Sequence, residues 1–183
     1  NSAADNGGGM YNDSSSPDLT DCEFTGNAAD GDGGGMYNND SSSPTLTDCA
    51  LSDNAASGNG AGICDNNSSP TLTGCEFADN TATGNGGGIY NNSSSPATRE
   101  CAFIGNDAQY GGAMYNFDHS SPNTRNCTFT GNSADVSGGG IFNLSNSTPV
   151  LTNCSFHGNS ATVYGGAFYT DSTAPELRNC ILW

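Results

Sequence analysis

Apolar residues recur along this chain at fixed offsets, separated by glycine triplets and Ser/Asn-rich arcs. Two positions after each proline stand Leu19, Leu46, Leu72, Thr98, Thr124, Leu151 and Leu177. Two positions after each repeating cysteine stand Phe24, Leu51, Phe77, Phe103, Phe129, Phe156 and Leu182. The glycines are followed by Met10, Met36, Ile63, Ile89, Met114, Ile141 and Phe168. The period is clearest in Cys22, Cys49, Cys75, Cys101, Cys127, Cys154 and Cys180, spaced 26 or 27 residues apart. Asn27, Asn54, Asn80, Asn106, Asn132 and Asn159 keep the same beat. A fixed period in this range is the signature of a solenoid, in which each repeat buries its apolar face against its neighbours.

Glycine triplets and Ser-Ser-Pro arcs would break a helix every dozen residues, so the elements are strands. Cys-x-Phe alternates as a short strand with both residues inward. Leu and Cys lie three apart, which demands a bend between them. The pattern predicts an all-β, right-handed parallel β-helix of seven coils, about three short strands per coil, forming a single domain over 1–183. Coils stacked at about 4.8 Å make a rod roughly 34 Å long. Insertions of one residue fall only between the Ala that follows each Asn and the glycines, and in the arc before Pro. Loops tolerate such changes, whereas a slip inside a strand turns every side chain to the wrong face. Stacking also gives the Asn column a role as an amide ladder that satisfies polar groups at an inner corner.

Composition fits this picture. Only 33% of the residues are hydrophobic and 26 are glycine, which is thin for a globular core but sufficient for a narrow solenoid. The net charge is −16, lysine is absent, and the three cations are Arg99, Arg125 and Arg178. Such a chain lacks the cations that replace counterions on nucleic acid, and an anionic membrane surface repels it. No apolar run approaches the roughly 20 residues of a membrane span. Residues 1–92 carry 13 acids and no base, which reads mainly as solubility. The chain begins at Asn1 and shows no signal peptide, consistent with a removed leader or with a segment of something longer.

Two motifs carry a family resemblance. Phe-x-x-Asn occurs as Phe24–Asn27, Phe77–Asn80, Phe103–Asn106, Phe129–Asn132 and Phe156–Asn159. Gly-Gly-Ala plus an apolar residue occurs as Gly111-Gly112-Ala113-Met114 and Gly165-Gly166-Ala167-Phe168. The chain resembles the repeats of chlamydial polymorphic outer membrane proteins and of many other secreted bacterial β-helix proteins. That resemblance implies a surface-exposed, adhesive passenger.

The residues offer little catalytic chemistry. Polysaccharide lyases and hydrolases need clustered carboxylates with a base in a cleft. Here Asp21, Asp48 and Glu100 stand before Cys, Glu23 and Glu76 after it, and His119 and His157 occupy different phases of different coils. No catalytic residue and no cofactor is expected. Ca²⁺ is the one cation the acids admit, through Asp13, Asp40 and Asp65, which read as neighbours in the turn register; solvated turn residues are the simpler reading. The cysteine column, with Cys64 standing where other coils have Tyr or Phe, reads as buried thiols. Register neighbours about 4.8 Å apart exceed the 3.5–4.5 Å that a disulfide needs between Cβ atoms. Tyr11, Tyr37, Tyr90, Tyr115 and Tyr169 (with Phe142) alternate against Ile/Met and so fall outside the core. They form either a stack along the rod or an exposed contact stripe for a neighbour or for sugars.

These observations lead to a non-enzymatic structural protein of the cell exterior, a filament subunit or rigid stalk. The second reading is an adhesin-like binding module for a surface glycan or host protein, and the third a polysaccharide-active enzyme. The preferred partner is the chain itself. Asn1, Ser2 and Ala3 open at the phase where Leu182 and Trp183 leave off, one repeat position short of continuity, and no capping coil intervenes. An uncapped solenoid end exposes strand edges that recruit other chains, and such a head-to-tail contact builds filaments rather than rings.

Overall fold

The repeat closes into coils because a residue with positive φ precedes each repeating cysteine and each ladder asparagine from Asn27 onward. In the computed structural model, which describes residues 1–183, the position before cysteine is occupied by Asp21, Asp48, Gly74, Glu100, Asn126, Asn153 and Asn179. All seven have φ between 50° and 66°. This left-handed conformation is what Asp, Asn and Gly tolerate best. It is the bend that the Leu-to-Cys spacing requires, and it explains why these outer positions are polar. The same conformation recurs before the asparagines, at Asp53, Asp79 and Gly105 among others.

Four parallel sheets of seven strands result. Sheet A runs from Ser2–Ala3 to Ser160–Ala161, and sheet B from Met10–Asp13 to Phe168–Thr170. Sheet C runs from Asp18–Thr20 to Glu176–Arg178, and sheet D from Glu23–Thr25 to Ile181–Leu182. Each coil contributes one strand to each sheet, four rather than the three read from the apolar pattern. The additional strand is the arc after each ladder asparagine, often only two residues long, as at Ala55–Ala56. Alanine carries little strand signal. Pairing with the neighbouring coil, as in Thr81 N–H to Asn54 O at 2.9 Å, makes the strand.

Register is maintained from coil to coil. Phe77, Phe103, Phe129 and Phe156 are fully buried and stack with ring centroids 4.5–4.9 Å apart. Leu46, Leu72 and Leu151 fill sheet C, and Met36, Ile63, Ile89, Met114 and Ile141 fill sheet B. Phe24 is buried and Leu19 is half-buried in the first coil. At the glycine corner the coils approach so closely that a side chain at Gly112 would run into the Ser133 carbonyl. Each sheet ends at both extremities in an edge strand. There Tyr11, Leu177, Ile181, Leu182 and Trp183 are exposed.

Candidate functional site

The asparagine column behaves as read. Asn1 donates to Asn27, and the chain of amides continues through Asn54, Asn80, Asn106 and Asn132 to Asn159, each Nδ2 to the next Oδ1 at 2.8–3.0 Å. Each interior amide has a second donation to a carbonyl of the preceding coil, as in Asn106 to Phe77 O at 2.9 Å. Each accepting oxygen also takes a backbone N–H, as Asn132 Oδ1 does from Asn106. The polar corner is therefore paired on all sides, as a dry interior requires.

The cysteines line the corner between sheets C and D as thiols. Cys22, Cys49, Cys75, Cys101, Cys127, Cys154 and Cys180 each donate to the carbonyl two residues earlier, at 3.2–3.5 Å. Burial pushes the Cys49 thiol up, and the neighbouring thiols of Cys127 and Cys75 raise that of Cys101.

A second inner ladder escaped the sequence reading. Asn12, Asn38, Asp65, Asn91, Asn116 and Asn143 are buried in sheet B, in register. The signal was available, since the alternation that puts Met10 inside and Tyr11 outside returns Asn12 to the inside. Asp65 is thus no turn residue. It is fully buried, with its Oδ1 accepting from Asn38 at 2.8 Å, and burial raises its carboxyl to about 8. Asp13 stands one column further on, accepting from Asn39 at 3.3 Å, and Asp40 lies beyond the strand with φ 48°. The three acids read as neighbours occupy three different columns and form no shared oxygen cage.

Of the two readings of the tyrosine column, the structure shows the stack along the rod. Its rings lie outside sheet B but cover one another. Tyr11–Tyr37, Tyr90–Tyr115, Tyr115–Phe142 and Phe142–Tyr169 stack at 4.8–5.4 Å. Tyr37, Tyr115 and Phe142 are buried, whereas Tyr11, at the end of the rod, is 50% exposed. Burial is also the chief reason that the Tyr37 hydroxyl is pushed up to about 12. Buried Cys64 interrupts the stack between Tyr37 and Tyr90.

The repeat is broken beside this stripe. From Asn106 to Gly111 the chain takes five steps where the other coils take six. The register shifts between Ala108 and Tyr110, and Tyr110 pairs with Asn85. Tyr110 thereby ends an outer ladder in which Asn85 donates to Asn59 and Asn59 to Asp32, both at 3.0 Å. Its ring packs edge-on against Phe142 at 5.1 Å. In the neighbouring column, Asn39, Asn66 and Asn92 give way to Phe117 and then Leu144. The outcome is a hollow of about 390 Å³ walled by Tyr110, Tyr115, Phe142 and Leu144, with Asn85, Gln109 and Asp171 supplying polar groups.

A second depression, about 310 Å³, lies on the outer face of sheet C, where Ala97 is flanked by Thr71 and Asn123 and overlooked by Arg99 and Arg125. All three arginines point outward, with Arg178 paired to Glu176 at 2.6 Å. The histidines are not brought together. His119 bonds Asp118 at 3.0 Å on an exposed turn, and His157 lies against Trp183 with centroids 4.3 Å apart.

The family model described as "Right handed beta helix region" matches residues 10–182. Neither a curated protein nor a solved structure matches the chain.

Proposed function

Because this chain belongs to the right-handed β-helix family, we propose that it is a non-enzymatic structural protein of the cell exterior, a rigid rod that joins end to end with further coils of its own kind. The observation that carries the reading is the near-continuous register of all four sheets from first coil to last. Each extremity presents four unpaired strand edges together with the ends of the Phe, Cys and Asn columns. A second copy placed head to tail continues those columns, and unpaired edges are what recruit such a strand. The Phe-x-x-Asn and Gly-Gly-Ala motifs, similar to those of the polymorphic outer membrane proteins, support an exterior location. Electron microscopy with light scattering across a concentration series tests the proposal. Linear oligomers that lengthen with concentration are the expected result, and a monodisperse monomer at high concentration refutes it.

The hollow at Tyr110 favours a second reading, an adhesin-like module that takes a sugar. Aromatic faces offer a dry platform for the C–H face of a pyranose, while Asn85, Gln109 and Asp171 are positioned to serve its hydroxyls. Screening on a glycan array, repeated with Tyr110→Ala, checks it. Binding that falls about tenfold or more in the variant supports the reading, and binding unaffected by the substitution removes it.

A further inference from the structure

Along the sheet B ladder the amides run in one direction. Asn12 donates to Asn38 and Asn38 to Asp65, each at 2.8 Å. Asn91 donates to Asn116 at 2.8 Å and Asn116 to Asn143 at 2.7 Å. Asn143 closes the run on the carbonyl oxygen of Tyr169 at 3.5 Å. That carbonyl can only accept, which sets the polarity of the last three amides: each donates toward the seventh coil.

One link in the run has no partner. Asp65 and Asn91 are register neighbours, and both are fully buried. Asp65 Oδ2 and Asn91 Oδ1 are both without a hydrogen bond. Two orphaned acceptors on adjacent rungs of a dry ladder are costly, and a single proton between them removes both defects.

We infer that Asp65 is a proton-binding site of the rod: its carboxyl is neutral, and Oδ2–H donates to Asn91 Oδ1, joining the two halves of the ladder. No charged group faces this carboxyl. The strands on either side present Asn38 and Asn91 to it. Tyr37 and Tyr90 on those strands, and Cys64 on its own, alternate to the other face of the sheet, where Asp32 acts on Cys64 rather than on Asp65. Burial without a cation is the condition under which a carboxylic acid keeps its proton well above its usual range.

The consequence is a base-sensitive joint between the third and fourth coils. The folded chain holds a proton that the unfolded chain releases near pH 4. Stability from this group is therefore complete below that range, declines as pH rises, and is gone once the folded carboxyl ionises. Between the two values the unfolding constant rises about tenfold per pH unit.

Asp65→Asn is a close isostere, and asparagine occupies this rung in the five other coils that form the ladder, so the variant folds. Its amide donates to Asn91 without titrating. Two measurements decide the proposal. The ¹³Cγ resonance of Asp65 should report a neutral acid at pH 6. Chemical unfolding between about pH 5 and about pH 8 should show wild type losing stability relative to Asp65→Asn by about tenfold in the unfolding constant per unit. A carboxyl that titrates near pH 4, or parallel pH profiles for the two proteins, overturns the inference.

Discussion

Residue identity in this chain follows backbone conformation at the corners and stacking inside. Glu100 shows the first rule by departing from it, since it takes φ 56° where Asp, Asn or Gly stands in the other coils. A long side chain with no short-range partner for the backbone gains nothing there, and the left-handed conformation costs it roughly 1–2 kcal/mol. Phe103 shows the second rule. It is fully buried between Phe77 and Phe129, at 4.9 and 4.8 Å with the rings nearly parallel. Phe103→Ala leaves a cavity bounded by two rings that stacking holds in place, so the loss should be about 3–5 kcal/mol. Denaturant unfolding measures it directly.

The strands are too short to hold their own register. Two to five residues each, they are aligned by the corners before and after them. Cys101 to Asn106 illustrates this, with two inward ladder residues separated by one strand and one corner. A glycine inserted after Phe103 moves Asn106 off the ladder between Asn80 and Asn132 and strands their donors and acceptors. The same insertion after Gln109 restores the six-residue spacing of the other coils and should be accommodated. Circular dichroism melts of the two insertion variants should show a large drop in Tm for the first and a small change for the second. The natural one-residue deletion in this arc already demonstrates the tolerance, at the expense of the local register shift beside Tyr110.

At the scale of the whole molecule, the outer surface is strongly anionic while the sheet ends are polar backbone and apolar rings. Thirteen acids without a base lie in residues 1–92, so in the proposed end-to-end assembly approaching rods would repel one another before any strand edge pairs. Salt shortens the range of that repulsion to about 8 Å at 0.15 M and about 3 Å at 1 M. If the proposed end-to-end assembly holds, association should therefore strengthen with ionic strength. Sedimentation velocity at low and high NaCl checks this, and a sedimentation coefficient that does not rise with salt counts against charge as the restraint on assembly.

The coil number, the inward Phe, Leu, Cys and Asn columns and the sites of insertion were legible in the sequence because a solenoid converts period directly into contact. Every residue 26 or 27 positions away is a neighbour, so local pattern and tertiary pattern coincide. What the tertiary structure decided lies where several columns meet. The fourth strand of each coil exists only through pairing with the next coil. The tyrosines are covered because their rings lie one stacking distance apart, which alternation by itself does not reveal. Asp65 reads as one acid among nineteen in a polar arc, and only its register between Asn38 and Asn91 makes it a buried rung. The hollow at Tyr110 arises from a deletion in one column and substitutions in two others, and three dimensions are needed to bring those changes to the same place.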